Sequence, residues 1–377
     1  MRIEQAELHE IVLPLLEPFI IAGGAVPARR SLIVVLRDSD GCVGYGEAPP
    51  FELPFYSEET LASARDLLER VLLPRLRGAV CESPEAVDAL VRGQIRGNPF
   101  ARSAVETAAW DLAADRAGTG MAQLVAACLD VPAGSSVACG VALGIPEDRR
   151  RATLAHQVAR ALARGYRRVK VKVAPGWDQD AVAAARDALA GADIPLTVDA
   201  NGSYEWPADE QALRALDDAG LLYIEQPLAP AELVGHARLA HTLRTPICVD
   251  ETLASASHAR QIVALDGPRV WNLKVHRVGG LTEACAIWRI AREWGAELWA
   301  GTMPETGIGS QATLAAAALP GFIYPSDLEP SERWYGRNTD VIKLVMSRDG
   351  RMAVPSLSTR RLLDVGRFER ATRLITR

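Results

Sequence analysis

Five polar residues recur through the middle of this 377-residue chain at a nearly constant interval. Lys172, Asp199, Glu225, Asp250 and Lys274 follow one another at 27, 26, 25 and 24 residues. Each falls at the end of a short apolar stretch, and an amphipathic helical pattern separates each stretch from the next. The stretches are VACGVAL (137–143), YRRVKVKV (166–173), PLTVDAN (195–201), LLYIEQP (221–227), ICVDE (247–251), VWNLKV (270–275) and AELWAGT (296–302). Strands joined by helical crossovers must run parallel, because a tight turn reverses the chain. Seven such units at one period predict an α/β fold, a closed (β/α) barrel of the modified TIM type, (β/α)7β, with a short eighth strand near 321–325.

The flanks read differently. Residues 1–130 predict an α+β capping domain, with strands at 2–14 and 30–47 and a hairpin turn at Asp38-Ser39-Asp40-Gly41. Helical patterns occupy 57–74 and 99–127. The barrel takes 131–325, and 326–377 is expected to return to the cap. A net charge of -5 argues against a nucleic-acid partner. The apolar runs are too short to span a bilayer, and the start of the chain shows no basic segment leading into an apolar one. Six scattered cysteines without a CxxC pair fit a reducing, cytoplasmic setting. Self-association into a homo-oligomer is expected.

Strand parity sorts the barrel residues. Lys170 and Lys172 share one face, opposite Val169, Val171 and Val173; Asp199 and Asn201 oppose Val198; Glu225 opposes Ile224; Asp250 opposes Val249; Asn272 and Lys274 oppose Leu273. The polar faces point into the barrel, at the strand ends where barrel sites form. Asp199, Glu225 and Asp250 would repel one another in a shared cavity unless a cation sat among them. All-oxygen donors select a hard ion, Mg²⁺ or Mn²⁺. The lysines flank these acids on both sides. Of the 42 basic residues only Lys170, Lys172, Lys274 and Lys343 are lysine. An arginine stays protonated, whereas a lysine can lose its proton, so lysines in an arginine-rich chain mark proton transfer. Lysines across a metal-bound carboxylate suit removal of the neighbouring α-proton, with the metal stabilising the enediolate and cationic neighbours lowering the lysine pKa.

VKVKV, DAN, IEQP, VDE and NLKVHRVGG, in this order, resemble the muconate-lactonizing subgroup of the enolase superfamily, where a Lys base acting with Mg²⁺ is the established pattern. The resemblance implies that Lys172 and Lys274 act on the proton and that Asp199, Glu225 and Asp250 hold the metal. It makes Lys170, Asn201 and Glu305 supporting residues. Cap loops near 18–25 and 50–57 would close the mouth, with Phe19, Phe55 and Tyr56 touching a small carboxylate substrate. Residues 44–60, 97–112 and 302–328 are similar to o-succinylbenzoate synthases that also racemise N-acylamino acids. Muconate cycloisomerisation begins with the same enediolate and stays open. Dipeptide epimerisation is disfavoured, because no Asp-x-Asp stands near PETGIG. Mandelate-type chemistry wants a histidine that AELWAGT lacks. A binding-only barrel would be expected to lose a ligand or lysine, and paired lysines beside three acids suit a metal better than a Schiff base with pyridoxal phosphate. The departures are Val275-His276 in place of Pro-Gly, Thr302 and Pro304 in the Glu305 loop, and Gly309-Ser310 where Arg is usual. His276 is expected to face solvent.

Overall fold

In the computed structural model of the chain, residues 22–23, 94 and 337–338 and the side chains of 18–26 fall outside the described part. The chain opens with three antiparallel strands, β1 (Ile3–Ile21), β2 (Gly24–Asp38) and β3 (Val43–Ala48). At the β2–β3 turn, Asp38 Oδ1 accepts from the amides of Asp40 and Cys42 at 3.0 and 2.9 Å, and Gly41 takes φ +79°. The β1–β2 ribbon runs past the expected ends: Pro14 pairs with Ala28 and Ile21 with Gly24, with a register shift between Pro14 and Phe19. Prolines obscure the alternating pattern there, but an edge ribbon tolerates them. The last strand, β13 (Thr372–Thr376), pairs with β1, so the chain's end lies in the first sheet.

This sheet is buried on both faces, as alternation along β2 shows. Leu32, Val34 and Leu36 face the helix Pro99–Ala117, while Ile33 and Val35 pack with Tyr335, Ile342 and Phe368 from the C-terminal segment. The helix sits very close to β3. A Cβ on Gly44 would lie 2.1 Å from Ala108 O, and one on Gly46 would lie 2.0 Å from Ala104 O. The helical pattern read over 99–127 is two helices, because Gly118 at φ +65° ends the first and Met121–Cys128 starts anew.

The stretch 137–143 also divides. β4 (Ser136–Ala138) leaves the barrel and pairs antiparallel with β12 (Arg351–Ala353). β5 (Val141–Leu143) starts the parallel sheet. Between them stands Gly140, whose missing Cβ makes room for the Arg168 guanidinium, 2.4 Å from where that atom would be. The sheet continues through β6 (Val169–Lys172), β7 (Leu196–Asp199), β8 (Ile224–Glu225), β9 (Ile247–Val249), β10 (Val270–Leu273) and β11 (Glu297–Ala300), neighbours in chain order. The segment 322–326 completes the ring: Phe322 bridges to Leu298 and Ser326 to Cys139, both parallel. The result is a seven-stranded parallel sheet curled into a barrel under an antiparallel cap.

Val169, Val171, Val198, Ile224, Ile247 and Val249 pack outward against the helices. Inside, Tyr223, Cys248, Val270 and Trp299 form a floor, with Trp299 Nε1 donating to Cys248 Sγ at 3.3 Å. Register aligns the polar ends, since Lys172 pairs with Asp199 and Asp199 with Glu225.

The glycine contact makes a direct test. Gly46→Ala forces the long cap helix off β3, and overpacking of this kind costs ~1–3 kcal/mol. Urea unfolding should show the midpoint falling by that equivalent. An unchanged midpoint would mean that the helix does not lie against β3 this closely.

Candidate active site

The ends of β7, β8 and β9 bring three carboxylates to one point. Asp199, Glu225 and Asp250 are all buried, and each can offer an oxygen within 4.8 Å of the others. Between them and the floor lies Lys170, whose Nζ is 3.0 Å from Glu225 Oε2, 3.4 Å from Asp199 Oδ2 and 2.7 Å from Asp327 Oδ2. The same ammonium stands 4.7 Å above the Trp299 ring. Lys172 donates to Asp199 Oδ2 at 2.6 Å and Asn201 Oδ1 at 2.5 Å. Across the barrel, Lys274 donates to Asp250 Oδ2 at 2.8 Å and to the Tyr56 hydroxyl at 3.1 Å. Since β6 and β10 are four places apart in an eight-membered ring, Lys172 and Lys274 reach the acids from opposite sides.

The electrostatics follow from burial and pairing. Burial acts against an ionised Asp199, but Lys172 and Lys170 outweigh it and hold its pKa down at about 2. Glu225 goes the other way, pushed up by burial and by Asp199. Burial favours neutral Lys170, yet Asp327, Glu225 and Asp199 lift its pKa above the ordinary lysine value. Lys274 is likewise raised, burial being outweighed by Tyr56, Glu251 and Glu225. The expected lowering by cationic neighbours is therefore reversed at these two lysines, by carboxylates at Lys170 and by Tyr56 with carboxylates at Lys274.

The donor set fits a hard divalent ion: three buried acids with no thiolate or imidazole among them, Glu225 Oε2 meeting only the Lys170 ammonium at 3.0 Å. Arg277 and Gln226, which strand parity did not single out, join the inward-facing Asn272 and Asn201 in holding the acids in place. Arg277 bonds Asp250 Oδ1 and donates to Asn272 O at 2.8 Å. Asn272 in turn donates to Glu225 Oε1 at 2.8 Å. Gln226, at φ +40°, accepts from the amides of Asp250 and Thr252 through Oε1. Asn201, at φ +44°, donates to Glu251 Oε1 at 2.9 Å. The motif stretches contained Gln226, Glu251 and Arg277, but parity gives no direction to residues past a strand's end.

Above the acids lies a cavity of about 320 Å³. Lys170, Lys172 and Lys274 face it from the barrel, and Phe51, Phe55 and Tyr56 from the cap. Phe55 packs against Phe51 with centroids 4.8 Å apart and the rings tilted by 31°. The Phe19 side chain lies outside the described residues. Glu305 does not line the cavity. It folds back onto its own loop, accepting from Met303 N and Thr313 Oγ1, both at 2.7 Å. His276 does not face solvent. It is buried between cap and barrel, with Nδ1 2.9 Å from Ser103 Oγ and Nε2 3.1 Å from Gly309 O. The Gly309 carbonyl can only accept, so Nε2 carries the proton of the neutral ring. PETGIG follows β11, the seventh barrel strand. The acids after the eighth segment are Asp327 and Glu329, in Asp327-Leu328-Glu329, and both line the cavity. The shortness of that segment hid this position in the sequence.

A barrel mouth with a carboxylate triad between two lysines, roofed by an aromatic cap, defines a class: barrel enzymes of the lyase and isomerase type that act on small carboxylates. Residues 5–126 match the N-terminal domain model of mandelate racemase / muconate lactonizing enzyme, and 153–358 the enolase C-terminal domain-like model. The chain belongs to this family of the enolase superfamily. It is 40% identical over 360 residues to the N-succinylamino acid racemase of Thermus thermophilus, covering 94% of this chain and 93% of the relative. It is 36% identical over 356 residues to the o-succinylbenzoate synthase of Geobacillus kaustophilus, covering 94% and 92%. Among solved structures, an enolase superfamily member from Listeria innocua superposes with TM-score 0.90 at 32% identity, over 100% of this chain and 99% of that one. A dipeptide epimerase from Enterococcus faecalis, complexed with Mg and L-Leu-L-Tyr, gives 0.84 at 27%, over 95% and 98%. Among the described residues no helix is long and apolar enough to cross a membrane, and all six cysteines are free thiols.

The buried histidine gives a test of the cap–barrel contact. His276→Ala leaves the buried Ser103 hydroxyl without its ring partner and takes a donor from the Gly309 carbonyl, and a buried group left unpaired costs ~1–3 kcal/mol. Chemical denaturation should register that loss. A variant as stable as the parent would place His276 outside the load carried by this contact.

Proposed function

We propose that the chain removes the proton α to a carboxylate, through an enediolate, acting as an o-succinylbenzoate synthase, an N-succinylamino acid racemase, or both. The observation that carries this reading is the placement of Lys172 and Lys274 on opposite sides of one cavity, with the acid triad on the strands between them. Asp199, Glu225 and Asp250 would hold a Mg²⁺ or Mn²⁺ ion, which would supply Lewis acidity toward the substrate carboxylate and offset the acids' charge.

The residues divide the remaining work. The neutral amine of one lysine takes the α-proton from one face of the substrate, and for racemisation the ammonium of the other returns a proton to the opposite face. Dehydration needs only one base, and leaves the second lysine to stabilise the enediolate or protonate the departing hydroxide. Lys170, pinned by Asp327 and Glu225, stays charged and fixes the acids. Tyr56 orients Lys274 by its hydrogen bond, and with Phe55 excludes water from the acyl side of the substrate. High identity to relatives of both names supports the two activities equally.

Exhaustive chelation should abolish turnover of N-succinylamino acids and of the cyclohexadiene acid, with recovery on adding Mg²⁺ or Mn²⁺. Full activity after chelation would remove the metal from this account. Lys172→Arg and Lys274→Arg keep the charge but remove the ability to become a neutral base. Each should abolish racemisation, with a loss of at least ~10²–10⁴ in rate. In ²H₂O each variant should still exchange the α-proton of one enantiomer, and the two variants should differ in which. Racemisation near the parent rate in either variant would show that its lysine carries no proton.

A further inference from the structure

The two proton-carrying lysines are held by different parts of the molecule. Each donates to one carboxylate of the triad and to one neutral oxygen. Lys172 reaches Asp199 Oδ2 at 2.6 Å and Asn201 Oδ1 at 2.5 Å. Lys274 reaches Asp250 Oδ2 at 2.8 Å and the Tyr56 hydroxyl at 3.1 Å. In the reading above the carboxylates are shared with a metal, so the neutral oxygens are the acceptors each lysine keeps for itself. A lysine on its flexible four-carbon stem does not aim its own nitrogen. Once the amine is neutral, the directions of its N–H bonds decide where the lone pair points. An acceptor that fixes one of those bonds helps to aim the base.

Tyr56 belongs to the cap, whereas Asn201 follows β7 in the barrel. The Asn201 backbone, at φ +44°, lies in the left-handed region that asparagine tolerates, and its N–H donates to Asp199 Oδ1 at 3.0 Å. That fixes the side chain's root but not which end of the amide meets Lys172. Glu251, just past β9, makes the choice, because its Oε1 accepts from Asn201 Nδ2 at 2.9 Å. A carboxylate oxygen accepts and an ammonium donates, so one orientation of the amide satisfies both, with Oδ1 toward Lys172. The other oxygen of Glu251, Oε2, is buried without a hydrogen-bond partner among the described residues, so the bond to Asn201 is the one this side chain makes. Glu251 also stands outside the triad of acids that can share a metal. We propose that Glu251 and Asn201 are a positioning pair that aims Lys172 from within the barrel, the counterpart of Tyr56 on Lys274 from the cap. This rests on the reading above, in which the two lysines work on opposite faces of the substrate.

The test uses the full chain loaded with Mg²⁺ and the two enantiomers of N-succinylalanine at saturation in ²H₂O. Initial rates of α-proton exchange are measured for each enantiomer, and their ratio is the readout. A variant that only weakens the fold or the metal site slows both enantiomers and leaves the ratio in place. Asn201→Gly keeps the left-handed backbone and every charge but removes the acceptor. It should slow the enantiomer whose exchange Lys172→Arg abolishes by about 10–100-fold more than the other, the range of a hydrogen bond to a charged group. Glu251→Gln lets the two amides pair in either orientation, and should move the ratio the same way by at least about threefold. It also carries the test if Asn201→Gly fails to fold. Tyr56→Phe, which keeps the ring and loses the hydroxyl, should move the ratio the opposite way. A ratio unmoved by Asn201→Gly overturns the positioning, and one moved by Asn201→Gly but not by Glu251→Gln removes Glu251 from it. A parent that dehydrates the cyclohexadiene acid but exchanges neither enantiomer shifts the readout to kcat for that acid: Asn201→Gly should lower kcat and leave KM in place, and an unchanged kcat overturns the positioning. A parent that neither exchanges nor dehydrates overturns the functional reading itself.

Discussion

Everything at the barrel mouth depends on how five buried or half-buried acids and five cations neutralise one another. Asp199, Glu225, Asp250 and Asp327 face Lys170, Lys172, Lys274, Arg168 and Arg277 within a few ångströms, and Glu251 accepts from the Asn201 amide beside them. Taking charges out of water is expensive unless each is paired and its remaining positions are hydrogen-bonded. The strands meet this requirement by register: the direct pairing of Lys172 with Asp199 and of Asp199 with Glu225 sets like and unlike charges at one level. The polar contacts of Asn272 and Gln226 then fix the carboxylate orientations. The apolar floor of Tyr223, Cys248 and Trp299 keeps water from entering below, so the charges are read only by what comes through the mouth.

What comes through the mouth is set by the cap, and the cap is tied to the barrel by buried polar groups rather than by a simple apolar seam. Glu106, on the long cap helix, accepts from the amides of Leu281 and Thr282 at the start of a barrel helix, both at 2.7 Å. Gly279 and Gly280, at φ +97° and +124°, turn the chain there, and a Cβ on Gly280 would lie 2.2 Å from Glu106 Oε2. Glu47 on β3 accepts from Thr306 Oγ1 at 2.6 Å and from the Gly309 amide at 3.0 Å. His276 joins Ser103 to the same Gly309. These bonds have defined directions, so they fix the cap's angle as well as its contact. That angle is what places Tyr56 on Lys274.

The sequence carried those parts of the molecule that repeat. A period of about 25 residues and an alternation of two along each strand follow from the geometry of strand and crossover, so the seven barrel strands and the inward residues Lys170, Lys172, Asp199, Glu225 and Lys274 were legible. What did not repeat was hidden. Gly140 divides one apolar run between two sheets because a distant arginine needs its space. Asp327 follows a segment too short to show a pattern. Arg277 and Gln226 lie beyond strand ends, where the direction of a side chain is set by the local turn and not by parity. His276 looked like a loop residue because nothing local says that Ser103, 173 residues away, will meet it.

The scarcity of lysine takes on a sharper meaning beside the arginines of the site. Asp250 receives both kinds of cation, Arg277 on one oxygen and Lys274 on the other. Asp327 does too, from Arg168 and Lys170. The guanidinium keeps its charge through any step at neutral pH, so the carboxylate it holds remains compensated whether or not the neighbouring lysine is protonated. Lys274 can therefore change protonation state without leaving Asp250 bare. Among the described residues, Asp199 forms its ion pairs with Lys170 and Lys172 and with no arginine. Were Lys172 to give up its proton, as the proposed reaction requires, Lys170 would be the cation that remains on Asp199, and its ion pairs with Glu225 and Asp327 keep that ammonium charged against its burial. The two sides of the barrel thus solve one problem differently: a permanent cation from arginine on the Lys274 side, and a lysine locked into its charged form on the Lys172 side.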